Sequence, residues 1–88
     1  VEETNVVISE IEIKQLVIIG LTKYVDAKLT FDVLRNGQTR KVVINKDGLK
    51  PGAMFKVEKD RFELVSIDEN QVVFENLDRR KTFTSPIS

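Results

Sequence analysis

The residues that decide the fold are GAMFKVEKDRFELVSIDENQVVFENLDRRKTFT, which run from Gly52 to Thr84. Short apolar runs alternate here with polar clusters. They indicate a glycine turn, two strands, a tight turn at residues 68–70, a third strand, another turn and a last strand. Short strands joined by polar turns are typical of a β-meander. The stretch therefore predicts an all-β protein, and it contains no catalytic motif.

The spacing of the apolar residues assigns the faces of these strands. Phe55 and Val57 alternate with polar residues, and Phe62 and Leu64 continue the same face. Val65 and Ile67 then shift the apolar face by one residue, which predicts a β-bulge or a corner. Phenylalanines occupy the inward positions throughout the chain, so we expect them to form the core: Phe31, Phe55, Phe62, Phe74 and Phe83.

The segment before this meander contains the clearest turn of the chain. Apolar residues alternate with polar ones up to Val33, and Asn36-Gly37 follows shortly afterwards. A type I′ turn needs positive φ at both central residues, and Asn-Gly tolerates this best. Residues 28–44 are therefore predicted to form a β-hairpin. Two further turns are predicted, one at residues 45–48 and a type II turn centred on Pro51-Gly52.

The N-terminal part of the chain is less regular. Residues 1–9 are predicted to be a tail or linker that leads into a strand, and residues 10–85 a single β domain. Residues 16–21 are apolar at every position, as expected for a strand buried on both faces or one that bends at a barrel corner, with Gly20 at the bend. A helix over residues 8–19 is the alternative, and the many β-branched residues argue against it.

The fold predicted from these segments is all-β. We expect about six short, mostly antiparallel strands that form a small barrel or a two-sheet sandwich. A chain of 88 residues is long enough for one domain of this kind.

The amino-acid composition argues against several classes of function. Lys and Arg total 14 and Asp and Glu total 14, so the formal charge is zero and the basic excess of a typical nucleic-acid binder is missing. The chain contains neither Cys nor His, which removes thiolate metal sites and the Ser-His-Asp triad. It carries no phosphate-binding glycine motif. We therefore expect no enzyme activity, no cofactor, no metal and no nucleic-acid partner.

Two polar clusters have a functional and a structural interpretation. Asp68-Glu69-Asn70 resembles half of a calcium loop but lacks its alternating spacing and closing Glu, so we interpret it as a hairpin turn. Arg79-Arg80-Lys81 is the densest basic cluster of the chain, and it fits a polar hairpin tip better than an anion site.

The apolar residues before Leu21 are the best candidates for a binding surface. If one face of this strand is exposed, it marks a site for a partner; the alternative is that both faces are buried. A partner could also add a strand to an open sheet edge. The candidate partner-binding residues are Leu16, Val17, Ile18, Ile19 and Gly20. The apolar run is far shorter than a spanning helix, so we expect no membrane insertion by this segment.

Three elements resemble a known family. They are the early LVIIG with Gly20, the GAMFKV that begins at Gly52, and the hairpin from Ile67 to Phe74. Together with the final polar strand, this order is similar to the periplasmic homology region of the C protein of type II secretion systems, and to the related P lipoprotein of type IV pilus machines. The resemblance covers residues 15–84. The long hairpin at Asn36-Gly37 and the residues 77–80 depart from the family pattern.

The resemblance implies a non-catalytic adaptor domain of a bacterial envelope assembly, located in the periplasm or cell envelope. Such domains dock by a strand edge on the N-terminal domain of an outer-membrane secretin, and here the edge would include residues 16–20. Two alternatives stay open, a small barrel that binds nucleic acid or carbohydrate and a structural domain of a larger surface protein. A cytoplasmic location is the alternative to the envelope.

Overall fold

Seven strands make up the computed structural model, which describes residues 4–87. The strands are β1 (Thr4–Ile19), β2 (Thr22–Arg35), β3 (Gln38–Leu49), β4 (Met54–Val57), β5 (Asp60–Ile67), β6 (Gln71–Asn76) and β7 (Lys81–Pro86). The all-β prediction is confirmed, and the helical alternative for residues 8–19 is wrong. The described residues include no helix long and apolar enough to cross a membrane.

The strands form two antiparallel sheets, in the orders β1-β2-β3 and β4-β5-β6-β7. Phe31 of β2 packs edge-on against Phe62 of β5 across the sheets, with ring centroids 5.1 Å apart. Of the two predicted architectures, the sandwich is therefore the one that forms. The seven strands agree with the predicted number of about six. Their predicted length needs correction, because β1, β2 and β3 have 16, 14 and 12 residues.

The predicted hairpin at Asn36-Gly37 is confirmed. Arg35 pairs with Gln38, which leaves the two residues as the complete turn. Their φ angles are 53° and 77°, the positive values that a type I′ turn requires. The Pro51-Gly52 turn is confirmed as well, since the Ala53 N–H donates to the Lys50 carbonyl at 3.0 Å and Gly52 has a φ of 94°.

The sequence predicted an irregularity at Val65 and a turn at residues 45–48. The first prediction is confirmed and the second is wrong. The shift of the apolar face at Val65 is a β-bulge, because Leu64 pairs with Phe74 and Ser66 with Val73. The turn predicted at residues 45–48 is wrong, since β3 continues to Leu49. The extra residue there forms a β-bulge, in which the Gly48 N–H donates to Asp26 Oδ1 at 2.8 Å.

The predicted tail needs correction too. Residues 4–9 belong to β1, and residues 1–3 lie outside the described part of the chain. Pairing continues this far because β2 supplies partners up to Arg35, and because Val6, opposite Val33, fills the end of the core. The predicted domain of residues 10–85 is thus extended to strands that begin at Thr4 and end at Pro86.

The phenylalanines form the centre of the core, as predicted. Phe31, Phe62 and Phe74 are fully buried, and Phe55 and Phe83 pack against them half-buried. Phe55 stacks on Phe62 at 5.8 Å between centroids. An exposed stacking platform for nucleic acid or sugar would need such rings at the surface, so the phenylalanines do not provide one.

Candidate functional site

The predicted partner-binding residues lie at the end of the β1–β2 hairpin. Ile19 pairs with Thr22, and Gly20-Leu21 forms the two-residue turn between the strands. Gly20 has a φ of 62°, a conformation that glycine adopts at low cost. The apolar run therefore crosses a turn, and the predicted strand buried on both faces is wrong.

Exposure increases toward the tip of this hairpin. Leu16 lies opposite the fully buried Val25 and packs half-buried against the core. Ile18 and Ile19 are 59% and 65% exposed, and Leu21 is completely exposed. Side chains alternate across a strand, so Ile18 follows Leu16 on the core-facing side at a point where the core has ended. The structure thus presents large apolar side chains on both faces of the hairpin end.

A groove of 430 Å³ lies beside this tip. Leu21 and Thr22 line it from the hairpin, and Pro51 and Ile67 line it from the second sheet and the turn that leads to it. Lys23 and Lys50 complete the lining. Among residues 4–87 neither lysine has a carboxylate within ion-pair distance. The groove thus combines three apolar side chains with two cationic groups that are available to a ligand.

The tip belongs to a strand with an open edge. Among residues 4–87, β1 is an outer strand of its sheet and pairs with β2 alone. Two side chains of the second sheet reach it, since Asn76 Nδ2 donates to the Val6 carbonyl and Ser85 Oγ to the Ile11 carbonyl, each at 3.4 Å. Both contacts lie in the first half of β1, so the second half, toward Ile19, combines an unpaired edge with the exposed apolar residues.

A buried polar cluster at the opposite end of β1 was missed by the sequence analysis. Asp60 Oδ2 accepts hydrogen bonds from Arg79 Nε at 2.7 Å and from Asn76 Nδ2 at 2.9 Å. Asn76 is fully buried, and its Oδ1 accepts from the backbone N–H groups of Asp78 and Arg79. The cluster fixes the turn between β6 and β7 and ties it to β1 through Val6. Sequence offers no signal for it, because a polar residue in a turn is ordinarily solvated.

The same turn holds an exposed ion pair. Asp78 Oδ1 accepts from Arg61 Nη2 at 3.0 Å, and its Oδ2 accepts from the Arg61 backbone N–H at 2.6 Å. Hydrogen bonding from the Arg61 side chain, and then from its backbone, lowers the pKa of the Asp78 carboxyl below its usual value. The same pair raises the pKa of Arg61. With Arg79 bound to Asp60, these contacts agree with the structural interpretation of the basic cluster at residues 79–81.

The loop at residues 68–70, which resembles half of a calcium loop in sequence, forms a turn. Asp68 Oδ1 accepts hydrogen bonds from the backbone N–H groups of Asn70 and Gln71, both at 2.9 Å, so the 68–70 loop is a capped hairpin turn as predicted. Within the described residues 4–87, Asp and Glu side chains form no group of three that could hold a metal ion.

Neither family models, nor curated proteins, nor solved structures match this chain. Its function is therefore inferred from the residues and the geometry described above.

Proposed function

We propose that this chain is a protein-binding domain without catalytic activity that docks through the exposed end of β1. The observation that carries the proposal is the exposure of Ile18, Ile19 and Leu21 at one hairpin tip. A polar tip would make the same turn, so folding does not account for three large apolar side chains in water. Exposed apolar clusters of this kind mark interaction sites in soluble proteins.

Burial of these three side chains by a partner would contribute substantially to the free energy of binding. Burying an exposed Ile or Leu side chain stabilises by about 1.5–3 kcal/mol. Scaled by their exposure, the three side chains offer roughly 3–7 kcal/mol before the costs of association are subtracted. Backbone groups along the open edge of β1 add hydrogen bonds if the partner contributes a strand.

The proposed partner is a component of a bacterial envelope secretion or pilus assembly, with the N-terminal domain of an outer-membrane secretin as the first candidate. This part of the proposal depends on the resemblance to the homology region described above. In that family the strand that matches residues 16–20 belongs to the docking edge, and here these residues lead into the exposed tip. On the same resemblance, the proposed location of the domain is the periplasm or cell envelope.

Affinity capture with variants of the tip tests the proposal. The bait is the purified domain, the sample is detergent-solubilised envelope of the source organism, and bound proteins are identified by mass spectrometry. Ile18→Asp and Ile19→Asp are the test variants. Val43→Asp is the matched control, because Val43 is a β-branched residue on β3 that is 51% exposed. Far-UV circular dichroism of all variants should remain that of the parent protein.

We expect the parent protein and Val43→Asp to retain a secretin or pilus component that both tip variants lose. Equal recovery of that component by all four proteins would contradict docking at the tip. Recovery of background proteins alone would contradict the assignment to an envelope assembly.

A further inference from the structure

The groove beside the tip carries information on the chemistry of its ligand. We infer that it binds an extended peptide segment in which apolar residues stand next to a carboxylate, supplied by an Asp, a Glu or a chain terminus. This inference rests on the proposed function and adds the partner's sequence character to it.

The apolar side chains that line the groove indicate that its ligand carries apolar residues. Leu21 is fully exposed on one side, and Pro51 and the largely buried Ile67 lie on the other. The volume of 430 Å³ lies within the range of sites that hold small ligands. It accommodates a few side chains, as an extended chain would supply.

The positive charges of the groove indicate that its ligand carries a carboxylate. Lys23 lies directly opposite Ile18 across the hairpin, so its cation adjoins the exposed apolar tip. Lys50 lines the same groove from the turn before Pro51. The chain contains no Asp or Glu from Ile13 to Val25, although acidic and basic residues are balanced overall. Asp68, which follows Ile67, is engaged in capping its own turn. The groove thus offers two cations that can pair with a carboxylate of the ligand.

The predicted complex buries apolar surface against the tip and pairs the ligand carboxylate with one or both lysines. Such pairs at the rim of an interface contribute mainly to specificity and association rate, and salt weakens them. Substitution of the lysines should therefore change which peptides bind, whereas substitution of Ile18 should abolish binding.

Selection from a random peptide library distinguishes the effect of substituting the lysines from the effect of substituting Ile18. Dodecapeptides displayed on phage are selected against four immobilised proteins: the parent, Ile18→Asp, the double variant Lys23→Glu/Lys50→Glu, and the control Lys59→Glu/Lys81→Glu. The control lysines are exposed and lie outside the groove lining. We expect apolar sequences with Asp or Glu from the parent and the control, no such family from Ile18→Asp, and Lys or Arg in place of the acid from the groove variant.

The best peptide is then measured in solution. Reversal of both groove lysines should weaken binding at least tenfold at low salt, and replacing the peptide's acid with Lys should restore it. Peptides that need Ile18 but carry no acidic residue would overturn this inference and leave the proposed function standing. Absence of any peptide that needs Ile18 would overturn both. Ile18-dependent binding to vesicles of phosphatidylglycerol with phosphatidylcholine, without such peptides, would assign the tip to a membrane surface and also overturn both.

Discussion

Replacing Asn76 with Leu should destabilise the domain strongly, because this buried side chain makes four hydrogen bonds. Its amide donates to Asp60 at 2.9 Å and to the Val6 carbonyl at 3.4 Å, and its oxygen accepts from the backbone of Asp78 at 3.0 Å and of Arg79 at 3.1 Å. Leu keeps a similar volume and forms none of these bonds. The hydrogen bond to Asp60 involves a charged partner and contributes about 1.5–3 kcal/mol. Each of the two hydrogen bonds from the backbone of Asp78 and Arg79 contributes about 0.5–1.5 kcal/mol.

These three hydrogen bonds add up to a loss of about 2.5–6 kcal/mol, which is a large part of the roughly 5–15 kcal/mol expected for a domain. The assay is equilibrium unfolding in urea followed by far-UV circular dichroism, since the chain contains no Trp. Asn45→Leu is the control, because Asn45 is exposed and accepts a single surface hydrogen bond from Lys14. It should change stability by less than about 0.5 kcal/mol. A loss below about 1 kcal/mol for Asn76→Leu, at unchanged urea dependence, would refute the structural role of the cluster.

Two further predictions concern turns. Gly37→Val should lower stability by about 1–2 kcal/mol or more, because the φ of 77° at this position is strained for a β-branched residue. Thermal unfolding of this variant beside Val43→Thr, a conservative exposed control, measures the effect, and equal midpoints would contradict it. The lowered pKa of Asp78 means that its pair with Arg61 stabilises the folded state above the ordinary carboxyl pKa of about 4. This contribution is lost as pH falls through the lowered folded-state pKa. Asp78→Asn should therefore be less stable than the parent at pH 7, with a difference that shrinks toward pH 2 in urea unfolding, and a constant difference would exclude this linkage.

Local features of the fold could be predicted from the sequence because their causes are local. Asn36-Gly37 and Pro51-Gly52 specify their turns through the φ angles that these residues tolerate. The bulge at Val65 was visible because one extra residue reverses the side-chain alternation of the whole strand. The inward positions of the phenylalanines followed from the same alternation.

Features that depend on distant parts of the chain could not be predicted. A glycine with positive φ serves a turn and a bulge alike, so Gly48 did not reveal that β3 continues past it. The length of β1 is set by β2, its pairing partner. The contact of Asp60 with Asn76 joins residues of different strands, and only the folded chain brings them together.

The candidate site was predicted in part. The composition of residues 16–20 identified the segment, and the structure shows that its second half lies on an exposed hairpin tip. The groove was not predicted, because it forms only where Leu21 and Lys23 meet Pro51 and Ile67 from a distant part of the sequence.

Site-specific photocrosslinking in the source organism tests most directly whether the hairpin tip is a protein-binding surface. Benzoylphenylalanine is placed at Ile19 and, as control, at the similarly exposed Val43, and adducts formed under ultraviolet light are identified by mass spectrometry. The account predicts one defined envelope protein crosslinked from position 19 and absent from position 43. No adduct at position 19, or the same adducts from both positions, would contradict it.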